Sequence, residues 1–159
     1  ERSHHYALKV LKSVLGRHNR LVITFYHGIN SFTMINRQKT SKLKKISQDA
    51  LVVLKAAAKD SKWNYRNKVH LLEAELSSHE GRTEDAESLY AAAILTSHSS
   101  QFIHEEGLAC ELAGFHYKKI GDLQRAWGFF TKAKLCYAEW GSEMKVDSIT
   151  RHLDLLDVL

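Results

Sequence analysis

The sequence predicts an all-α protein made of antiparallel helical hairpins stacked as a solenoid. The chain of 159 residues contains no proline, which suits a protein that is mostly helix. Apolar residues recur at three- and four-residue steps, as in Val69, Leu72 and Leu76, and such spacing gathers them on one face of a helix. A pattern of small and aromatic residues also recurs at a fixed interval, which is typical of helical-repeat proteins.

This repetition joins two sets of residues forty positions apart: Gly81, Ala86, Tyr90 and Ala93, then Gly121, Ala126, Phe130 and Ala133. The same offset relates two upstream pairs, Leu72 with Leu112 and Ala74 with Gly114. A looser copy, Asp49-Ala50, Leu54 and Ala57, lies thirty-six positions before Asp85-Ala86, Tyr90 and Ala93. Small side chains let two helices approach closely, so each copy predicts one hairpin, about three and a half in all.

In chain order, the predicted helices cover residues 4–15, 20–36, 40–59, 63–80, 83–97, 101–120, 123–140 and 143–158. The second and third helices form a hairpin over 20–59, and further hairpins cover 63–97 and 101–140. The helix at 143–158 closes the stack. The run from Leu21 to Tyr26 alone would suit a strand, and its place before the third helix favours a helix.

Local signals set the predicted helix ends. Gly81 and Gly121 are expected to terminate helices, because glycine accepts the left-handed conformation that closes a C-terminus. Thr83 is expected to cap the next helix, whose first turn carries Glu84 and Asp85 near the positive end of the dipole. The segment 97–101 suits a loop, and Gly141-Ser142 suits a stop followed by a cap.

Length and composition predict a single domain over residues 1–159. No apolar run approaches the length of a membrane span. Two cysteines cannot form a disulfide framework, which favours an intracellular, cytoplasmic protein. The first residues lack a signal-peptide pattern and the chain does not begin with Met, so we interpret it as an excised or processed piece.

The residues Gly114, Tyr117, Ala126, Phe130 and Ala133 resemble a tetratricopeptide repeat, although these units exceed the standard length and lack its closing proline. A narrower resemblance is carried by Lys145-Val146 and by four longer sequence segments: Leu71–Glu75, Tyr90–Ile94, His104–Glu111 and Tyr137–Gly141. They are similar to the helical-repeat region between the AAA-type ATPase module and the GAF and histidine-kinase modules of large multidomain sensor kinases. The resemblance covers about residues 40–146 and implies a fragment of a signal-transduction protein.

The sequence contains no recognisable catalytic constellation. It lacks the phosphate-binding loop, the dinucleotide-binding glycine motif and the catalytic and metal-binding motifs of protein kinases. Neither the ten histidines nor Cys110 have the short paired spacings of a zinc site, so no metal or cofactor is predicted. We expect a noncatalytic protein–protein interaction, spacer or scaffold module, whose partner is a protein, a peptide or another module of the parent chain.

Stacked hairpins form a concave groove able to hold a peptide. The predicted groove residues come from the first helix of two hairpins: Lys68, Leu71, Glu75, Ser78, His79, Leu108, Glu111, Phe115, Lys118 and Lys119. The lysine and asparagine pattern that binds a terminal carboxylate in chaperone-binding repeats is missing. The alternative to a binding groove is that these residues face only solvent or a neighbouring module.

The charge distribution supports a different hypothesis. Residues 1–68 carry 15 Lys/Arg and 3 Asp/Glu, a net charge of +12, whereas residues 69–159 carry 8 and 15, a net charge of −7. The predicted basic surface comprises Lys39, Lys42, Lys44, Lys45, Lys55, Lys59, Lys62 and Arg66. It could bind nucleic acid or an acidic surface, with Trp63 and Tyr65 stacking on bases. The alternative is a solvated helix face that also complements the acidic end of the same or a neighbouring molecule.

Overall fold

A computed structural model describes residues 16–35 and 41–157. These residues are almost entirely helical, and short turns join the helices within 41–157. The helices are α1 (Arg17–Ile35), α2 (Ser41–Asp60), α3 (Lys62–Glu80), α4 (Thr83–Ser99), α5 (Ile103–Ile120), α6 (Leu123–Trp140) and α7 (Glu143–Asp157). The described part of the chain has no strand, which confirms the all-α prediction. The segment from Leu21 to Tyr26 lies within α1 and is helical. The helix expected at 4–15 falls outside the described residues.

The chain divides into two compact units, Glu1–Lys62 and Trp63–Leu159, which we call the N-terminal unit and the C-terminal unit. The prediction of one domain over residues 1–159 stays a prediction. In the N-terminal unit α1 packs against α2. Its buried residues include Phe25, Ile29 and Leu54, and the Ser47 hydroxyl donates to the Gly28 carbonyl across the two helices at 3.3 Å.

The C-terminal unit contains α3 to α7. Hydrogen bonds from Asn67 to Ser97 and from Tyr90 to Glu75 join α3 with α4, and we call α3–α4 and α5–α6 the two hairpins of this unit. Helix α5 packs against both α4 and α6, and α6 packs against α7. Six residues of the forty-residue pattern are among the most deeply buried: Ala86, Ala93, Ala126, Ala133 and Phe130 are each 0% exposed, and Tyr90 is 1% exposed. The predicted register of small and aromatic residues therefore coincides with the interior of this unit.

Left-handed residues recur every twenty positions at the turns of the C-terminal unit: Gly81, Gln101, Gly121 and Gly141. At each turn the next amide donates to the carbonyl five residues before it; Arg82 to Ser77 and Asp122 to Tyr117 both measure 2.9 Å. These bonds satisfy carbonyls at the helix C-termini and stop the helices. The prediction that Gly81 and Gly121 end helices is confirmed.

Two local predictions are wrong. Thr83 does not cap α4: it is the first helical residue, and the preceding Arg82 makes no side-chain capping bond. At the equivalent turn, Asp122 does cap α6, because its carboxylate accepts from the Arg125 amide at 2.9 Å. The segment 97–101 is only partly a loop, because α4 continues to Ser99 before the left-handed Gln101.

Candidate functional site

The predicted groove residues on α3 are mostly engaged inside the C-terminal unit. Lys68 and Leu71 are 3% and 2% exposed, so neither side chain is accessible to a peptide. Glu75, Ser78 and His79 are half-buried. The three- and four-residue spacing placed these positions together on one face of α3, which we expected to be open to a peptide. It did not show that α5 would cover part of that face.

The predicted groove residues on α5 keep more exposure. Leu108, Phe115 and Lys118 are half-buried, Lys119 is exposed, and only Glu111 is buried, at 9%. The groove itself stays a prediction. Judged by the exposure of its residues, the accessible part of the predicted groove is formed by α5 and by the C-terminal turn of α3.

Lys68 belongs to a buried polar cluster that joins α3 to α5. The Glu105 carboxylate accepts hydrogen bonds from Asn67 at 2.5 Å and from Lys68 at 2.7 Å, and Asn67 also donates to Ser97 of α4 at 3.0 Å. Burial acts to raise the pKa of Glu105, but the donors His104, Lys68 and Asn67 together lower it. Glu105 therefore keeps its charge in the interior and fixes α5 against α3.

A second inter-hairpin ion pair joins α5 to α7 with the opposite polarity. Here Glu111 on α5 accepts from Lys145 on α7 at 2.8 Å and from the Tyr137 hydroxyl at 2.5 Å. Lys145 occupies the position forty residues after Glu105. The equivalent positions of α5 and α7 thus contribute an acid, Glu105, at the α3–α5 junction and a base, Lys145, at the α5–α7 junction.

Among the described residues, Glu75 is the carboxylate whose pKa is shifted most. It accepts from the Tyr90 hydroxyl at 2.5 Å. Burial raises the pKa of Glu75 to about 7, against the opposing effects of the Tyr90 hydrogen bond and the Lys119 charge. The same burial and the Glu75 carboxylate raise the pKa of Tyr90. Glu75 is consequently a group that titrates near neutral pH.

His116 adds a further polar link between α3 and α5. Its Nδ1 lies 2.8 Å from the Ser78 hydroxyl, and its ring centroid lies 5.4 Å from that of Tyr90. Burial lowers the pKa of His116 below its usual value, so the ring is biased toward the neutral form. The sequence excluded His116 from a metal site but did not predict its contact with Ser78, because its helical position alone does not distinguish it from a surface histidine.

The predicted basic surface lies partly on α2 of the N-terminal unit. Lys42, Lys44, Lys45, Lys55 and Lys59 are all exposed, as is Lys62 at the start of α3. Arg66, in the C-terminal unit, is also exposed, and Lys39 lies outside the described residues. Trp63 is 60% exposed, whereas Tyr65 is 7% exposed and cannot present its ring for stacking on bases.

The two cysteines have the properties of packed thiols. Burial is the main cause that raises the pKa of Cys110 to about 12 and that of Cys136 to about 11. A nucleophilic cysteine instead requires a lowered pKa, because the thiolate is the reactive form. Across residues 16–35 and 41–157, no group of three or more His, Cys, Asp or Glu side chains is placed to hold a metal ion.

No protein-family model matches the chain, and neither a curated protein nor a solved structure is significantly similar to it. Within the part of the chain that the structure describes, none of the helices combines the length and apolar character needed to cross a bilayer.

Proposed function

We propose that this chain is a noncatalytic protein–protein interaction and spacer module with a tetratricopeptide-like solenoid arrangement, part of a multidomain signal-transduction kinase. One observation carries the proposal: the six residues of the forty-residue pattern at the hairpin interiors are 0–1% exposed. Burying the same positions in successive hairpins is how helical-repeat proteins build extended binding surfaces. The cytoplasm is the proposed location.

The uses of the polar side chains support a structural and binding role. Glu105 and Glu111 hold neighbouring helices together, and the Cys110 thiol has a raised pKa. Such groups stabilise packing and supply no activated nucleophile. The accessible side of α5, which carries Leu108, Phe115 and Lys119, is the proposed site of partner binding.

The proposal is tested by affinity capture from the source cell with the full chain and two matched variants. Leu108→Asp alters the proposed binding side of α5, whereas Leu95→Asp alters a leucine of α4 that is 65% exposed. We expect a captured protein to be retained by the wild type and by Leu95→Asp and lost from Leu108→Asp. Thermal melting checks that both variants fold. Capture that is equally insensitive to both changes would contradict the proposed site.

The noncatalytic part of the proposal has its own test. ATP hydrolysis and phosphotransfer are measured with the purified full chain, and we expect no turnover above the protein-free control. Activity that is abolished by a single substitution within the chain would overturn this part of the proposal, because contaminating enzyme would not respond to that substitution.

The exposed lysines of α2 favour one second candidate, a helical protein that binds nucleic acid or another acidic surface. Neutralising phosphates with lysines makes affinity fall steeply with salt. This candidate predicts binding to duplex DNA at low salt that is lost when Lys42, Lys44 and Lys45 are changed to Glu. Absence of binding at low salt would remove it.

A further inference from the structure

A group of basic side chains lies where the C-terminal end of α5 meets α7. We define the cationic edge as Lys118, Lys119, Arg151 and His152. Lys119 and Arg151 are exposed, and Lys118 and His152 are half-buried. These four basic side chains contrast with the net charge of −7 carried by residues 69–159, and the acids nearest to Arg151 along α7 are the exposed Asp147 and Asp154.

Contacts of His152 bring the members of the edge together. Its ring centroid lies 4.8 Å from that of Phe115, edge to face, and 5.6 Å from that of Phe130, stacked. Burial lowers the pKa of His152, and the charges of Lys118 and Arg151 lower it further, while Glu111 opposes them. Both cations therefore act on the same imidazole, one from α5 and one from α7.

Lys119 extends the edge toward α3. Its ammonium donates to the Ser78 carbonyl at 2.8 Å, next to the half-buried His79 in the last turn of α3. An ammonium has three donors, so this bond leaves Lys119 further donor capacity. Part of the role of Lys118 and Lys119 is to complement the negative C-terminal end of α5. Arg151 lies in the middle of α7 and has no such role.

The α3–α5 and α5–α7 ion pairs indicate which chemical group is expected to pair with Arg151. Lys68 of α3 pairs with Glu105 of α5, and Glu111 of α5 pairs with Lys145 of α7. Arg151 stands forty residues after Glu111, at the equivalent position of α7. At the α5–α7 junction this position is joined to an opposite charge, and at the α3–α5 junction Lys68, three residues before the equivalent Leu71, is also paired with one. A carboxylate is therefore the expected counterpart of Arg151.

We propose that the cationic edge docks an acidic segment of a partner protein, whose carboxylates pair with Arg151, Lys118 and Lys119. This inference rests on the proposed interaction function and names the chemistry of the partner. Leu155, which is 58% exposed on α7, offers apolar contact to the same segment.

An acidic protein segment fits the edge better than a nucleic acid. The nearby Phe115 ring is half-buried and packs against Phe130 at 5.1 Å and against His152 at 4.8 Å, so part of the ring is covered within the fold. Base stacking on aromatic faces is a main source of affinity for single strands. The acidic surroundings in the C-terminal unit also repel a polyanion that extends beyond the edge.

The test uses fluorescein-labelled hexaglutamate as the probe, and fluorescence anisotropy at low salt with the full chain. Because the α2 lysines also attract this probe, all proteins carry Lys45→Glu and Lys59→Glu. In that background, Lys118→Gln with Arg151→Gln removes two charges of the edge. The matched control, Lys132→Gln with Lys134→Gln, removes two charges from α6, where one residue is likewise exposed and the other half-buried.

We expect Kd for hexaglutamate to rise about tenfold in the edge variant and to change less than about twofold in the control. Heteronuclear NMR of the same background protein, titrated with hexaglutamate, is expected to shift the amides of residues 118–119 and 151–152 first. This second measurement needs no change at the edge and so does not depend on the folding of the edge variant.

Equal losses in the edge variant and the control would overturn the inference, as would NMR shifts confined to other residues. A thymidine hexanucleotide that binds the edge as tightly as hexaglutamate would also overturn it, in favour of a general anion site. If hexaglutamate fails to bind while Leu108→Asp still abolishes partner capture, the proposed function stands and only the acidic partner is wrong.

Discussion

The two hairpins of the C-terminal unit share a buried register but fill it with different chemistry. At one pair of equivalent positions, α3–α4 places Glu75 against Tyr90 through a hydrogen bond, whereas α5–α6 places Phe115 against Phe130 at a ring distance of 5.1 Å. At a second pair, Asn67 donates to Ser97 in the first hairpin. In the second hairpin Gly107 there makes room for Tyr137.

The repeat therefore specifies the positions at which helices meet, but not whether hydrogen bonds or ring packing join them there. The small residues set the spacing of the helices in both hairpins. The polar pairs of α3–α4 add directional contacts, and a buried polar group that loses its partner lowers stability. We therefore expect the first hairpin to be more sensitive to loss of a charge, and the second to added volume.

The largest expected effect follows from breaking the polar junction between α3 and α5. Lys68→Met leaves the Glu105 carboxylate buried without its ammonium, and removing one partner of such a pair costs about 3–5 kcal/mol. The matched change Lys145→Met, whose side chain is 38% exposed, is expected to cost about 1 kcal/mol. Urea unfolding measures both. Equal costs would show that the junctions do not differ as the structure indicates.

The pH dependence of stability is expected to reflect the first hairpin. Because the pKa of Glu75 rises from 4.5 to about 7, the folded chain binds more protons than the unfolded chain between these values. The free energy of unfolding then falls as the pH rises through this window, by roughly 3 kcal/mol. Glu75→Gln is expected to flatten this slope, and Glu84→Gln, exposed on α4, to leave it intact. Urea titrations from pH 4 to 8 test this, and an unchanged slope in Glu75→Gln argues against the assignment.

Added volume is expected to affect the second hairpin. A Cβ atom at Gly114 would lie 2.7 Å from Cε1 of Phe130, which is 0% exposed, so Gly114→Ala should destabilise by about 1–3 kcal/mol. The control Gly128→Ala meets no atom within 4 Å and should stabilise α6 by about 0.5–1 kcal/mol. Thermal melting separates the two signs, and stabilisation by both changes would contradict the packing of Phe130 on Gly114.

The smallest expected effect concerns the turns. Gln101 has φ 57° where the other turns of the unit have glycine. Gln101→Gly relieves the left-handed strain of a residue with a Cβ atom and should stabilise by about 0.5–1 kcal/mol. Gly121→Ala is the converse change and should destabilise by a similar amount. A fall in Tm for Gln101→Gly would contradict the assigned turn geometry.

Much of the fold could be predicted because small residues and left-handed glycines have one common use in helical hairpins. Ala86 and Ala126 marked the close approaches, and Gly81 and Gly121 marked the stops. The sequence predicted a boundary between hairpins at residues 59–63. It did not predict a division into two units there, because no glycine, proline or loop composition interrupts the sequence after Lys62.

The candidate site was harder to predict. Helical spacing assigns Lys68 and Glu111 to the same face of their helices as accessible residues such as Lys119. It does not show which of them the next helix will cover. Asn67, Glu105 and Tyr137 were missed for the same reason: their partners lie 26 to 38 residues away in sequence. Aligning the sequence with itself at an offset of forty residues offers one signal. In that alignment Asn67 is matched with Gly107 and Ser97 with Tyr137, and both matches depart from the repeat.

The shared register is tested most directly by the melting temperatures of Ala86→Leu and Ala126→Leu, with Ala91→Leu, exposed on α4, as the control. If both alanines lie where helices nest, overpacking should destabilise each variant by about 1–3 kcal/mol and lower its Tm, with no fall for the control. An unchanged Tm in both variants would contradict the placement of the hairpins and, with it, the proposed repeat architecture.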